Sequence, residues 1–153
     1  MKGNFSAFLV AILTGLSSVK ATPYEVCTSP DFPEPADLRV TDCEETPCNF
    51  HRGKDVYAEV DFMPPQDMTK LTPWVQATVL GGTVNYTLPE QDGCKTLKEG
   101  QECPLKKDEK YTFVLDLPIL KAYPKVSLFV QLTLLDGDTQ EAVACFKIEG
   151  KVK

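Results

Sequence analysis

Basic charge is scarce in this chain and never concentrated. There are 16 lysines and arginines against 22 aspartates and glutamates in 153 residues, a net charge of −6. No basic run is longer than Lys106-Lys107. Phosphate neutralisation dominates nucleic-acid affinity, so no nucleic-acid partner is expected. Histidine is scarcer still, with His51 alone, and no Cys-x-x-Cys spacing occurs. A zinc centre therefore lacks its ligands, and no metal or cofactor is expected. Past residue 21 the only serines are Ser29 and Ser127, neither in a Gly-x-Ser-x-Gly setting, which leaves a serine hydrolase without its nucleophile. Nothing past that point repeats apolar residues at helical spacing between two caps. There is no internal repeat, no low-complexity tract and no second long hydrophobic run. The length allows one domain.

The one long apolar run is at the start. Phe5 to Leu16 follows Met1-Lys2, and Val19-Lys20-Ala21 places modest or small residues where a secretory cleavage site needs them. The run is too short for a membrane span and is broken by Thr14 and Gly15. We expect a leader at 1–21 and a working domain at 22–153, secreted to the extracellular space. Without Lys2 and Lys20 the working domain keeps 14 basic against 22 acidic side chains.

All six cysteines, Cys27, Cys43, Cys48, Cys94, Cys103 and Cys145, lie past the leader. An even number in an oxidising compartment argues for three disulfides. Six cysteines admit several pairings, and the sequence alone does not choose among them. Spacing favours two local staples, Cys43 with Cys48 and Cys94 with Cys103, which leave Cys27 for Cys145.

Period-two alternation recurs along the chain and marks half-buried strands. In 55–62, Val56, Ala58, Val60 and Phe62 face one way. In 74–80, Val75, Ala77 and Val79 alternate with Gln76 and Thr78, which leaves Trp74 off the inward face. The segment 111–117 alternates likewise. Val126, Leu128, Val130, Leu132 and Leu134 form the clearest stripe, opposite Ser127, Gln131 and an outward Thr133. Near the end Ala144, Phe146 and Ile148 oppose Lys147, with Cys145 on the polar side. Further strands are expected at 37–42 and 83–88, seven or eight in all. Turn signals stand between them: Pro64-Pro65, Gly81-Gly82, Asp92-Gly93, Tyr123-Pro124 and Asp136-Gly137-Asp138. The pattern predicts an all-β, two-sheet antiparallel sandwich. A Cys27–Cys145 bridge would then pin the N-terminal segment to the outside of a sheet.

Few residues are left for chemistry. His51 sits in the polar turn Phe50-His51-Arg52-Gly53-Lys54 and reads as a surface histidine. Counting carboxylates does not decide against a glycosidase-like pair, but most occupy turns or outward strand positions. Glu44-Glu45 lies inside the small Cys43–Cys48 loop. Asp136-Gly137-Asp138 lacks the later glutamate of an EF-hand. An enzyme is not expected. One motif is complete: Asn85-Tyr86-Thr87 is an N-glycosylation acceptor, with Asn85 facing solvent if Tyr86 faces inward. Asn4-Phe5-Ser6 also matches but belongs to the leader.

Asp92-Gly93-Cys94-Lys95, Cys103-Pro104-Leu105-Lys106-Lys107 and Lys110-Tyr111-Thr112 together resemble the central signature of the ML-domain lipid-recognition family. The branch most resembled is that of the Niemann-Pick type C2 secreted sterol carriers, with the mite group-2 allergens as relatives. Cys43 to Cys48, His51-Arg52-Gly53-Lys54 and Leu117-Pro118-Ile119 through Tyr123-Pro124 also match, and the likeness covers nearly all of 24–149. It implies an immunoglobulin-like sandwich with an apolar cavity between its sheets, and the pairing Cys27–Cys145, Cys43–Cys48 and Cys94–Cys103. It implies a lipid-binding lining at Val84, Tyr86, Pro118, Ile119, Tyr123 and Leu132, to which strand parity adds Val56, Ala58, Phe62 and Phe146. Tyr86 stands where the mammalian carriers have phenylalanine, Leu132 where they have tryptophan, and a mammalian sequon at the position of Glu59 is absent.

The resemblance thus implies a monomeric, non-enzymatic carrier of a sterol or long-chain fatty acid. A membrane sterol transporter or lipid receptor would be its partner, and delivery could extend to the lysosome. The alternatives are a microbial-lipid recognition accessory in innate immunity and a semiochemical carrier in chemosensation. Candidate rims of the mouth are Pro64-Pro65, Gly81-Gly82 and 118–124. Periodicity by itself does not reveal a hollow: an apolar stripe such as Val126 to Leu134 reads as a close-packed core, since protein interiors are normally filled.

Overall fold

The structure is a computed structural model that describes residues 20–29 and 31–153. The expected leader lies outside the described residues except for Lys20 and Ala21. Eight strands follow in order: β1 (Asp37–Val40), β2 (Cys48–Phe50), β3 (Asp55–Phe62), β4 (Leu71–Val79), β5 (Gly82–Tyr86), β6 (Tyr111–Pro118), β7 (Ser127–Asp136) and β8 (Ala142–Val152). A single 3-10 turn at Gly93–Thr96 is the only helical element among the described residues. One sheet has the order β1-β3-β6 and the other β2-β8-β7-β4-β5. All pairs are antiparallel except β2 with β8. This is the two-sheet sandwich that the alternation predicts.

The inward stripes meet between the sheets. Ala58, Val60 and Phe62 of β3, Phe113 and Leu115 of β6, and Leu132, Leu134, Phe146 and Ile148 of β7 and β8 are all buried. On the outside of the smaller sheet, Arg39 of β1 is tied to β3, and Asp61 of β3 in turn to β6. The Arg39 guanidinium donates to Asp37 (2.6 Å), Glu59 (2.9 Å) and Asp61 (2.9 Å), and Thr112 Oγ1 also donates to Asp61 (2.7 Å). Arg39 and Thr112 hold the Asp61 carboxyl down at about 2 against the opposing effect of burial.

The disulfides pair as Cys27–Cys145, Cys43–Cys48 and Cys94–Cys103. The first fastens the N-terminal segment over β8, where Glu25 bridges to Lys147 and Cys145 N donates to the Pro33 carbonyl (2.8 Å). This strap corrects one expectation. Thr133 lies opposite Cys145 on the outer face, as parity requires, but it is fully buried, with Oγ1 3.2 Å from Cys145 Sγ. Parity gives the side of a sheet and not what covers that side.

Two elements exceed the sequence pattern. β4 starts at Leu71 and passes through Pro73; β5 pairs only with Val75 to Val79, so Pro73 stands where β4 has a single neighbour and is tolerated. β2 is three residues long and has no periodicity to detect. Its Phe50 packs against Gly150, where any side chain would collide with the ring.

Candidate lipid-binding cavity

The sheets do not fill the space between them evenly. At the end where β6 runs out, a cavity of about 270 Å³ remains. Val75, Ala77 and Val79 of β4 form one wall, with Val84 and Tyr86 of β5 beside them and Leu128 and Val130 of β7 behind. Leu117, Pro118, Ile119, Tyr123, Pro124 and Val126 close the opposite side, while Phe50 and Val152 contribute from β2 and β8. Alternation in β4 and β7 turns these side chains inward. Ala77, paired with Val84 and Val130, leaves space where the facing residues are only medium-sized.

Backbone contacts hold the rim. Ile119 N donates to the Lys54 carbonyl (3.1 Å), and Gly53 N donates back to Ile119 (2.5 Å). Gly53 has φ of 82°, and Lys121 lies across it so closely that an added Cβ would meet Lys121 Cε at 3.0 Å. Arg52 Nη1 donates to the carbonyls of Lys121 and Tyr123, both at 3.4 Å. Across the mouth, β4 and β5 join through Leu80 and Gly81, both with positive φ (50° and 80°), the twist that suits a two-residue hairpin. Leu80 at its tip is 98% exposed. Val84 and Leu120 are also exposed, next to the wall.

Burial pushes the Tyr86 phenol above its ordinary value, and Tyr123, Asp116 and Asp55 add to the effect. The Asp116 carboxyl is itself raised by burial and by Asp55. On the outer face, Asn85 is exposed and accepts from Trp74 Nε1 (3.3 Å) and Gln76 Nε2 (3.2 Å).

Of the lining residues expected from the sequence, the wall contains Val84, Tyr86, Pro118, Ile119 and Tyr123. The other five lie elsewhere. Ala58, Phe62, Leu132 and Phe146 are buried in the packed core, and Val56 packs partly buried against it. Pro64-Pro65 is not a rim either. It follows Phe62, which pairs with Tyr111 at the other end of the smaller sheet, while Pro118 pairs with Asp55 at the cavity end. Period two marks the inward side of a strand but not which end is hollow. Val75, Ala77, Val79 and Val130 were visible as inward residues without being assigned to the site; Phe50 and Val152 carried no signal. A second depression, about 790 Å³, covers the outside of the smaller sheet, but Arg39, Glu59, Asp61, Lys98 and Lys110 make it polar. His51 and the Glu44-Glu45 pair are exposed.

Comparison with known proteins gives one family. The family model described as the ML domain matches residues 21–152. The chain is 33% identical over 150 residues to the NPC intracellular cholesterol transporter 2 of Canis lupus familiaris, covering 97% of this chain and 96% of the relative. It is 36% identical over 120 residues to the mite group 2 allergen Lep d 2 of Lepidoglyphus destructor, covering 78% and 81%. Among solved structures, a Niemann-Pick type C2 protein from the Japanese carpenter ant superposes with a TM-score of 0.75 at 25% identity, covering 86% of this chain and 99% of that one.

Proposed function

The chain belongs to the ML-domain family, and from that premise we propose that it is a secreted carrier that binds one lipid, a sterol or a long-chain fatty acid, between its sheets. The observation that carries this reading is a cavity of about 270 Å³ whose wall includes no charged side chain. Close packing would normally fill such a space. The relative named as a cholesterol transporter, matched over nearly its whole length, supports the same reading.

Apolar transfer from water drives binding, with the polar end of the lipid left toward the mouth. A water molecule occupies about 30 Å³ in the liquid, so the cavity takes roughly nine such volumes. That is the leading part of a long lipid. A complete one requires the mouth to widen, and β5 suits that motion because it pairs only with β4 and is exposed along most of its length. Burying about 400 Å² of apolar lipid surface gains roughly 10 kcal/mol gross at 25 cal/mol per Å². Association and ordering costs of several kcal/mol leave an affinity of about micromolar or somewhat tighter. Leu80, Val84 and Leu120, three exposed apolar side chains, would meet the donor or acceptor surface during transfer. Asn85, exposed on the outer face, carries a glycan in this proposal without entering the cavity through its side chain.

Titration with a fluorescent sterol and a fluorescent fatty acid tests the function. Saturable binding of either, with one ligand per chain, is the expected result. Absence of saturable binding by both would overturn it.

A further inference from the structure

The outer face of the β4–β5 hairpin is polar without being charged. In a chain of which 25% is charged, that face presents Trp74, Gln76 and Thr78 of β4 and Thr83 and Asn85 of β5, with Gln131 of β7 alongside. Gln76 pairs with both Asn85 and Gln131, and the Thr78 and Thr83 hydroxyls lie 2.9 Å apart. Trp74, the only tryptophan of the chain, is 38% exposed. An aromatic ring left in water among amides and hydroxyls suits a sugar. The C–H face of a pyranose meets the electron-rich ring face, and its hydroxyls meet the amides.

Asn85 can deliver that sugar. Among the described residues, both hydrogen bonds of its side chain run to Oδ1, from Trp74 Nε1 (3.3 Å) and Gln76 Nε2 (3.2 Å). Glycan attachment uses Nδ2 alone. One Nδ2 hydrogen gives way to C1 of the sugar, a lipid-diphosphate oligosaccharide is the donor, and the lipid diphosphate leaves as the proton is released. The modified amide is planar and trans, so C1 lies on the same side of the C–N bond as Oδ1. That is the side on which the Trp74 indole and the Gln76 amide stand. Trp74 is the diagonal neighbour of Asn85 across the β4–β5 pair, a separation that aromatic side chains span.

Resting on the glycan proposed at Asn85, and not on the carrier function, we infer that Trp74 is a docking platform for the first N-acetylglucosamine of that glycan. The sugar stacks on the indole and links β5, which pairs with β4 alone, to its one neighbour.

The test uses protein secreted with high-mannose glycans and trimmed by an endoglycosidase to a single N-acetylglucosamine. Thr87→Ala, which loses the acceptor motif at an exposed position but keeps Asn85, is the sugar-free reference. Acrylamide quenching reads Trp74 alone. The single sugar should lower the quenching constant at least twofold and raise the melting temperature by about 2–5 °C. Trp74→Leu, made in both backgrounds, should abolish that rise; the quenching comparison needs no change at 74 and stands even if Trp74→Leu does not fold. A mass showing the sugar on Asn85, with quenching equal to that of Thr87→Ala, would overturn the inference and leave the glycan and the carrier function standing. A melting rise that survives Trp74→Leu would overturn it equally. A mass showing no sugar on Asn85 would overturn the glycan, and this inference with it.

Discussion

Filling the cavity from inside should separate stability from binding. Ala77 faces the hollow between Val84 and Val130, whereas Ala58 on β3 is 3% exposed, with Val40 and Leu115 as its register neighbours. A phenylalanine at 77 enters existing space. Full burial of such a side chain stabilises by roughly 1.5–3 kcal/mol, and a partly open cavity should return the lower part, about 1–2 kcal/mol. For a domain of this size that is a rise in melting temperature of roughly 3–8 °C. Ala58→Phe has no space to enter, and overpacking should cost about 1–3 kcal/mol. Thr78→Phe, on the outer face of β4, controls for the strand preference of phenylalanine. Thermal denaturation followed by circular dichroism, with titration of a fluorescent lipid, reads both effects. Ala77→Phe should be more stable than the parent and bind at least tenfold more weakly. If Ala77→Phe is as destabilised as Ala58→Phe and still binds fully, the space beside residue 77 is not the ligand site.

Removing Cys27–Cys145, with its separation of 118 residues, should cost about 4–5 kcal/mol by loop entropy, against about 2 kcal/mol for Cys43–Cys48 with its separation of 5; paired alanine variants compared in urea check the order. Asp61 has a folded-state pKa of about 2, below its ordinary 3.8. Its stabilisation is therefore present above about pH 4 and lost as the pH falls through 2, so Asp61→Asn should cost roughly 2 kcal/mol at neutral pH and almost nothing at about pH 2 in urea unfolding. Expression through a secretory pathway should give a glycosidase-sensitive mass excess that Thr87→Ala removes. Leu80→Asn keeps a residue that accepts positive φ and should slow lipid transfer between vesicles without changing equilibrium affinity, a combination that stopped-flow and titration together detect.

The sheets were legible in the sequence because alternation is a local property and each strand states its own inward side. The cysteine pairing was legible through spacing and family resemblance. What escaped depends on neighbours distant in the chain. Thr133 reads as a surface residue until the N-terminal strap is placed over Cys145. Phe50 reads as the start of a turn until Gly150 makes room for its ring. Leu132 and Phe146 have the same parity as Val130, yet they fall in filled core and Val130 beside a hollow. The difference is set by where β6 ends and the 118–124 segment turns away, a property of two sheets together. Ala77 was visible as a small inward residue; that its space stayed empty was not.

Native mass spectrometry of the protein purified from its natural source tests the central claim most directly. The carrier account expects a population heavier than the disulfide-bonded, processed chain by the mass of one lipid. Organic extraction should release that lipid, and Ala77→Phe produced in the same setting should lack it. A single unliganded mass, unchanged after incubation with sterol and with long-chain fatty acid, would contradict the account.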